Sequence, residues 1–273
     1  MEAQLKGIIE AVWEDASRLR NPETLPAIEQ VVEMLDRGEL RVAEPAADGS
    51  WRVNEWIKKA VILYFPTHEM HPMSAGEMEY YDKLELKHGY KDLGVRVVPG
   101  AIARYGAYIA KGVIMMPSFV NIGAHIETGT MVDTWATVGS CAQIGRFVHL
   151  SGGVGIGGVL EPVQASPVIV EDNCFIGSRS IIVEGAHIGH EAVLGSNTVI
   201  TASTKIIDVT GPEPIEYKGY VPPRKVVIPG TYTRDYPAGK YGVQCALIIG
   251  ERKESTDKKT SLNEALREFG ISI

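Results

Sequence analysis

Residues 126–156 read IETGTMVDTWATVGSCAQIGRFVHLSGGVGI, and a large aliphatic side chain returns at every sixth position of this stretch. The column extends in both directions. Stepping by six from Ile102 gives ten consecutive large apolar residues ending at Ile156, and a second series of seven runs from Val170 to Ile206. The residue two positions before each column member is generally small. Because a helix repeats near 3.6 residues and a strand at 2, neither explains this pattern.

A period of six over this length predicts a left-handed parallel β-helix, in which each hexapeptide forms a short strand and a turn. Three hexapeptides close one triangular coil, so seventeen repeats predict nearly six coils with the aliphatic column inside. Glycine often follows the column residue, and we expect it there because it adopts backbone conformations that other residues avoid. These glycines are Gly139, Gly145, Gly157, Gly177, Gly189 and Gly195.

The repeat divides the chain into three predicted domains and makes the fold class mainly β. Residues 1–95 are expected to form an N-terminal helical domain, and residues 96–207 the β-helix, with an external loop near 157–169. Residues 208–273 are expected to form a small C-terminal α+β cap with short strands and a terminal helix.

Apolar spacing predicts three helices in the N-terminal domain. The first covers residues 5–13, the second covers residues 23–37 and stops at Gly38, and the third is WIKKAVILYF, which Asn54 caps and Pro66 closes. Residues 67–93 are ambiguous. In the C-terminal cap, SLNEALREFG predicts a helix with Ser261 as its N-cap.

The composition excludes several classes of protein. The chain has 273 residues, 45% of them hydrophobic, with 29 glycines, 7% aromatics and a net charge of −7, which argues against a general nucleic-acid or anionic-membrane surface. No apolar run is long enough to cross a membrane, and the N-terminus does not follow the plan of a signal peptide. The three cysteines, Cys141, Cys174 and Cys245, are odd in number and far apart, which predicts a cytoplasmic location.

Four motifs carry a family resemblance. They are RVAE at 41–44, RVVP at 96–99, MVDTWATVGSCAQIG at 131–145 and HLSGGVGIGGVLEPVQASPVIVEDNCFIGSRS at 149–180. With the three-part layout, they make the chain resemble the bacterial tetrahydrodipicolinate N-succinyltransferases of lysine and diaminopimelate biosynthesis. The resemblance is strong from the first helices to about Gly195 and weaker beyond.

The resemblance implies that the amine of L-2-amino-6-oxopimelate, the ring-opened substrate, attacks the thioester of succinyl-CoA. Such a reaction needs a base, an oxyanion donor and cations for two carboxylates. The family pattern implies that Asp133 is an acid/base or amine-orienting group and that Arg96 binds a carboxylate, with Trp135 also in the substrate site. Glu184 matches a family acid and is a second catalytic candidate. Relatives also have an acidic residue where this chain has Ile181, so the use of Glu184 stays open.

The glycine-rich loop GVGIGGVLEPVQA is expected to project from the coils, reach an adjacent protomer and cover the pantetheine arm of the donor. Backbone amides would contact the acyl group, which makes Gly153, Gly155, Gly157 and Gly158 candidates for donor binding. A dinucleotide site is rejected because GVGIGG is not followed by a helix. Three cations, Lys205, Arg224 and Lys225, are candidates to meet the CoA phosphates, and the alternative is that they are solvated surface charges.

The resemblance also implies a homotrimer with intersubunit sites, succinyl-CoA as a co-substrate, no permanently bound cofactor and no metal. The histidines His125 and His149 are expected to be exposed on the coil face, and Cys141 and Cys174 to pack in the small-residue column. Two alternatives stay open: an acetyl-CoA-dependent N-acetyltransferase acting on the same substrate, and a non-catalytic solenoid scaffold.

Overall fold

The computed structural model describes residues 1–253, so the expected helix at Ser261 lies outside the described residues. The helical elements of this part are α1 (Glu2–Glu14), a 3₁₀ turn (Ala16–Arg20), α2 (Thr24–Arg37), α3 (Glu55–Thr67) and the short α4 (Tyr90–Leu93). None of them is long and apolar enough to cross a membrane.

Helices α1 to α3 pack around a common apolar core. Ile9, Ile28 and Ile57, one from each helix, are fully buried in it. Gly38 ends α2 in a left-handed conformation, with φ of +74°, as predicted. Asn54 is the N-cap residue of α3, as predicted, but its side chain makes no capping hydrogen bond and its amide instead donates to the carbonyl of Arg41 at 2.8 Å. Pro66 lies inside the last turn, which continues to Thr67.

The ambiguous region and the segment before α3 each form a two-stranded antiparallel hairpin. These hairpins are β1 (Ala43–Pro45) with β2 (Trp51–Val53) and β3 (His71–Ala75) with β4 (Met78–Asp82).

Seventeen two-residue strands follow and form the β-helix. They are β5 (Arg96–Val97), β6 (Ile102–Ala103), β7 (Tyr108–Ile109), β8 (Ile114–Met115), β9 (Phe119–Val120), β10 (His125–Ile126), β11 (Met131–Val132), β12 (Thr137–Val138), β13 (Gln143–Ile144), β14 (His149–Leu150), β15 (Gly155–Ile156), β16 (Ile169–Val170), β17 (Phe175–Ile176), β18 (Ile181–Ile182), β19 (His187–Ile188), β20 (Val193–Leu194) and β21 (Val199–Ile200).

These strands stack in parallel into three faces, which confirms the predicted fold class. The first face contains β5, β8, β11, β14, β17 and β20; the second contains β6, β9, β12, β15, β18 and β21; the third contains β7, β10, β13, β16 and β19. The second residue of each strand points inward, so Val132, Val138 and Ile144 are fully buried. Stacking such side chains removes a continuous apolar column from water, which stabilises a coil that could not bury its own core.

The column is shifted by one residue in the first coil. Ala103, Ile109 and Met115 point inward, not Ile102, Tyr108 and Ile114 as the sequence suggested. The reason is a short coil: Ile102 pairs with Phe119, 17 positions later, whereas Phe119 pairs with Thr137, 18 positions later.

The glycines after the column residues have a different role from the expected one. None of the six has a positive φ. Five of them, all except Gly195, are required because the next coil approaches closely: a Cβ on Gly139 would lie 2.1 Å from the nitrogen of Gly158, and one on Gly145 would lie 2.6 Å from the nitrogen of Asp172. Positive φ is instead adopted by corner residues such as Trp135 and Arg179.

The predicted external loop is an insertion in one coil. Ile126 pairs with Ile144, 18 positions later, but Ile144 pairs with Val170, 26 positions later. The eight additional residues lie between β15 and β16, in the segment 157–168, which contains no strand.

The end of the β-helix is closed by strands longer than the sequence suggested. They are β22 (Lys205–Asp208), β23 (Ile215–Lys218), β24 (Tyr220–Val221), β25 (Lys225–Tyr236) and β26 (Gly239–Glu251). Strand β25 pairs with β20 and so extends the first face, while β24 takes the next place on the third face. Ile206, the expected last column residue, is buried but belongs to β22, which pairs with β23 and β26.

The N-terminal domain covers the third face through polar contacts. Arg41 donates from Nε to Gln143 Oε1 at 2.6 Å, and Trp51 donates from Nε1 to Glu171 Oε1 at 3.3 Å. The expectation that His125 is exposed is wrong, since only 6% of it is accessible beneath this junction. Polar groups cost free energy when buried without partners, so this network stabilises a fixed contact between the two parts.

Candidate active site

Asp133 lies at the corner between the first and second faces, directly after β11. Its Oδ1 accepts hydrogen bonds from the backbone nitrogen of Thr134 at 2.6 Å and from Thr134 Oγ1 at 3.2 Å. Its Oδ2 faces His149 Nε2 at 3.9 Å, too far for a direct hydrogen bond. One carboxylate oxygen is therefore fixed, while the other remains open beside an imidazole.

His149 is mostly buried on the first face, so the expectation of an exposed histidine is wrong here too. Its ring stacks on Phe175 with centroids 5.2 Å apart. Burial lowers the pKa of His149, and the nearby Asp133 only partly opposes this effect. A neutral imidazole beside Asp133 is consequently favoured at pH 7.

Trp135 projects from the same corner and is 75% exposed. Its φ is +60°, a conformation that costs a bulky residue about 1–2 kcal/mol, and its backbone N–H donates to the carbonyl of Pro117 at 2.6 Å. The next coil has Gly152 and Gly153 at this corner, so no side chain covers the indole from that side.

The glycines expected to bind the donor lie in the coil next to that of Asp133. They leave a strip of backbone without side chains of its own across the second face, and Ile181 Cδ1 of the following coil lies over Gly155. Gly155 pairs with Thr137 on one side and Ile181 on the other. The expected role as amide donors is wrong for three of the glycines, because the N–H groups of Gly153, Gly155 and Gly157 already donate to neighbouring coils. These glycines instead allow the neighbouring coils to approach each other closely. Gly158 is exposed, and its N–H has no acceptor within residues 1–253.

Glu184 lies at the opposite edge of the second face, after β18. It is exposed, its φ is +58°, and it contacts no polar partner in the described part of the chain. It stands two coils from Asp133, or about 10 Å along the axis, and a full side of the triangle away. One protomer therefore does not bring the two carboxylates together. Ile181 lies on the face itself, over Gly155.

Arg96 is the first residue of the outward row of the first face, which continues through Ile114 and Met131 to His149. It is exposed, and within the described residues its guanidinium has no carboxylate or hydrogen-bond partner. Arg96 stands two strand spacings, or about 10 Å, from the strand that leads to Asp133. These two candidates are therefore brought to the same side of one protomer.

The three cations expected at the CoA phosphates all have carboxylate partners. Lys205 lies 2.8 Å from Glu216 and Lys225 lies 3.1 Å from Glu251, while Arg224 pairs with Glu191. Their contact with phosphate stays a prediction.

The buried cysteines are unsuited to nucleophilic chemistry. Burial raises the pKa of both Cys141 and Cys174 to about 12. Cys174 packs in the small-residue column as expected, but Cys141 does not. It takes a corner position with φ of +68° and packs against the N-terminal core.

Two cavities of 810 and 530 Å³ lie elsewhere. The larger is lined by acidic and tyrosine side chains of the N-terminal domain, and the smaller lies at the junction around Arg41 and Trp51. Asp133 lines neither of these two cavities.

Sequence reasoning missed Lys58, which is fully buried and contacts the loop 157–168. A signal was present, since Lys58 stands three residues before Val61 on the apolar side of α3.

Two family descriptions match parts of the chain. Residues 4–67 match the N-terminal region of tetrahydrodipicolinate N-succinyltransferase, and residues 167–202 match the hexapeptide repeat of succinyl-transferase.

Three relatives share half of their residues with the chain, and each is named 2,3,4,5-tetrahydropyridine-2,6-dicarboxylate N-succinyltransferase. The protein from Afipia carboxidovorans is 50% identical over 90% of this chain and 91% of its own length. The proteins from Dechloromonas aromatica and Acinetobacter baylyi are each 50% identical, over 98% and 97% of this chain and 100% and 99% of their own lengths.

Among solved structures, the chain is similar to a hexapeptide transferase family protein from Anaplasma phagocytophilum. The two are 14% identical, with a TM-score of 0.45, over 66% of this chain and 87% of the other. A likeness at this level adds nothing about activity.

Proposed function

The chain belongs to the 2,3,4,5-tetrahydropyridine-2,6-dicarboxylate N-succinyltransferase family, and from that premise we propose that it transfers succinyl from succinyl-CoA to the amine of L-2-amino-6-oxopimelate. The family resemblance drawn from the sequence motifs and the acyltransferase class are confirmed. The structural observation that carries the proposal is the open Oδ2 of Asp133, which faces solvent beside a strip of backbone without side chains.

Asp133 acts as the base in this proposal. Thr134 fixes Oδ1, so Oδ2 takes a proton from the substrate ammonium. The freed amine lone pair forms a bond to the thioester carbon, and the carbonyl electrons move to oxygen. When the carbonyl re-forms, the carbon–sulfur bond breaks and CoA leaves as a thiolate. The amide nitrogen loses its second proton, which the thiolate takes up, and the proton held by Asp133 passes to solvent. The free N–H of Gly158 is a candidate donor to the oxyanion.

Arg96 binds a substrate carboxylate in this proposal. Its guanidinium has no carboxylate partner within the described residues, and it shares the first face with the strand that leads to Asp133. A planar guanidinium fork matches a carboxylate with two parallel hydrogen bonds, which an ammonium cannot do.

We propose a homotrimer with intersubunit sites, and the position of Glu184 supports sites shared between subunits. Because Asp133 and Glu184 lie at opposite edges of one face, they can act on the same substrate only when different protomers supply them. The donor would lie along the open second face. We also infer a cytoplasmic location, which the three free, buried cysteines support.

The proposal is tested by mixing the enzyme with succinyl-CoA and the amino-oxopimelate and following free thiol with a chromogenic reagent. We expect thiol release that requires both substrates. Acetyl-CoA in place of succinyl-CoA should give a kcat/KM lower by about tenfold or more. A trimeric, folded preparation that releases no thiol above background would overturn the proposed activity.

A further inference from the structure

Lys58 is a lysine with 0% exposure in the middle of α3. Its Nζ donates to the carbonyl of Ala165 at 2.9 Å and to that of Pro162 at 3.2 Å. It forms no ion pair within residues 1–253, and burial lowers its pKa. A buried ammonium is costly unless hydrogen bonds replace its water, and here both replacements come from the loop 157–168.

The other attachments of the loop are apolar packing and backbone hydrogen bonds. Val159 is buried against the β-helix core, and Leu160 packs against the N-terminal core. Its backbone donates three hydrogen bonds, from Gly157 to Ile182, from Val159 to Ser140 and, within the loop, from Ala165 to Pro162. The far half of the loop packs against the β-helix core at Ala165 and Val168, and Lys58 is the side chain that hydrogen-bonds to its turn at 162–165.

The near half of the loop is Gly157 and Gly158, which border the strip on the second face. Gly158 lies close to Gly139: a Cβ added to Gly139 would be 2.1 Å from the nitrogen of Gly158. Only three residues separate Pro162 from Gly158. A displacement of the turn at 162–165 would therefore also displace Gly158. A small misplacement of a binding group is enough to weaken binding of the reacting part of a substrate.

We propose that Lys58 is the positioning residue of the acyl-donor segment, which holds the turn at 162–165 and so sets the affinity for the donor without touching it. This inference rests on the proposed function, because it takes the loop to border the donor site.

Lys59 supplies a matched control. It is the next residue in the same helix, but its Nζ pairs with Glu10 and lies 5.8 Å from the ring centroid of Trp13. Its contacts are confined to the N-terminal domain. A change to methionine at either position removes one charge from α3 and keeps a flexible side chain of similar length, so the two variants differ in their link to the loop.

The experiment compares Lys58→Met and Lys59→Met with the unchanged chain as intact assemblies. We expect Lys58→Met to raise the KM for succinyl-CoA by about tenfold or more, with little change in the KM for the amine. Amide hydrogen exchange in residues 157–168 should accelerate in the same variant. Lys59→Met should change neither quantity, and Lys58→Arg, which keeps the donors, should retain part of the donor affinity.

Three results would overturn the proposal: equal effects of the two methionine variants on the donor KM, a parallel rise in both KM values, or faster loop exchange with unchanged donor KM. If Lys58→Met does not fold, Lys58→Gln, which retains two N–H donors, takes its place under the same criteria. The exchange measurement needs no turnover. Failure of the proposed function would show as absent thiol release in the unchanged chain, whereas failure of this inference would leave that activity intact.

Discussion

The second and third faces of the β-helix have the same interior and opposite exteriors. Both are stacks of two-residue strands whose inward side chains are fully buried. On the third face the outward residues His125, Gln143 and His187 lie beneath Arg41 and Trp51 of the N-terminal domain. On the second face no part of the described chain covers the outward row.

The difference lies in the outward position of each strand. The third face has polar and aromatic side chains there, which hydrogen-bond to the N-terminal hairpin. The second face has Thr137 and Gly155 at neighbouring levels, with carboxylates only at its edges, Asp133 and Glu184. The inward residue of each strand builds the core, and the outward residue thus determines whether a face is covered by the same chain or stays exposed.

The largest expected effect is on the open face. Asp133→Asn keeps the acceptor for Thr134 but removes the base, so kcat/KM should fall by about 10² to 10⁴ while the melting temperature stays the same. Steady-state kinetics and thermal unfolding measure both. Asp172→Asn is the control, since Asp172 Oδ1 accepts from the Arg146 backbone at another corner. Equal losses in the two variants would contradict a catalytic role for Asp133.

The second prediction asks whether the two edges of the open face act across protomers. Glu184→Gln should lower kcat/KM by about 10². When Asp133→Asn and Glu184→Gln chains are co-expressed in equal amounts, about one quarter of the sites in a random trimer combine both intact carboxylates. Activity should recover to that fraction. If the mixture is as inactive as its components, the two groups do not act across protomers.

The third prediction concerns Arg96. It lies on neither the second nor the third face, but in the first strand of the first face. Arg96→Met should raise the KM for the amino substrate by about 10- to 100-fold, with a smaller rise for Arg96→Lys, because an ammonium lacks the bidentate fork. The KM for succinyl-CoA should not change. Arg234→Met, in the C-terminal hairpin, serves as the control. A rise confined to the donor KM would assign Arg96 to the other substrate.

The smallest effect is on stability and belongs to the covered face. Hydrogen bonds from His187, the His190 backbone and Trp51 lower the pKa of Glu171 from 4.5 to about 2. A depressed carboxyl pKa stabilises the folded state above the unfolded pKa, and this contribution is lost as pH falls from about 4.5 towards 2. Glu171→Gln should therefore cost on the order of 2 kcal/mol at pH 7, with a smaller difference at pH 3.

Urea unfolding at pH 7, 5 and 3 measures this difference. Glu184→Gln is the matched control on the open face, because Glu184 has no polar partner within the described residues, and its unfolding midpoint should stay close to that of the unchanged chain. If the unfolding free energy of Glu171→Gln is as far below that of the unchanged chain at pH 3 as at pH 7, the carboxylate charge is not the cause.

Much of the fold could be predicted because the interior column is periodic. One side chain in six must be apolar wherever coils stack, so the pattern from Val120 to Ile156 is visible without coordinates. The shift in the first coil was not visible, because Ile102 and Ala103 are both apolar and only the pairing with β9 decides which points inward. The role of Gly139 was also missed, since close approach between coils depends on residues 19 positions apart.

The candidate site was found in part. The sequence motifs identified Asp133, Trp135 and Glu184 as candidates, but not that the two acids lie at opposite edges of a face. Nor did they indicate His149 as the neighbour of Asp133 or Lys58 as the anchor of the loop. Each of these contacts joins residues that are distant along the chain, and a single sequence carries no record of such pairs.

The sequence alone determined the repeat, the fold class and the family, because these depend on residue types at fixed spacing along one chain. The tertiary structure alone decided which face is covered, which N–H groups remain free and which lysine reaches the loop. Those properties depend on where separate segments meet in space, and hydrogen bonds and burial act over distances of a few ångströms whatever the separation in sequence.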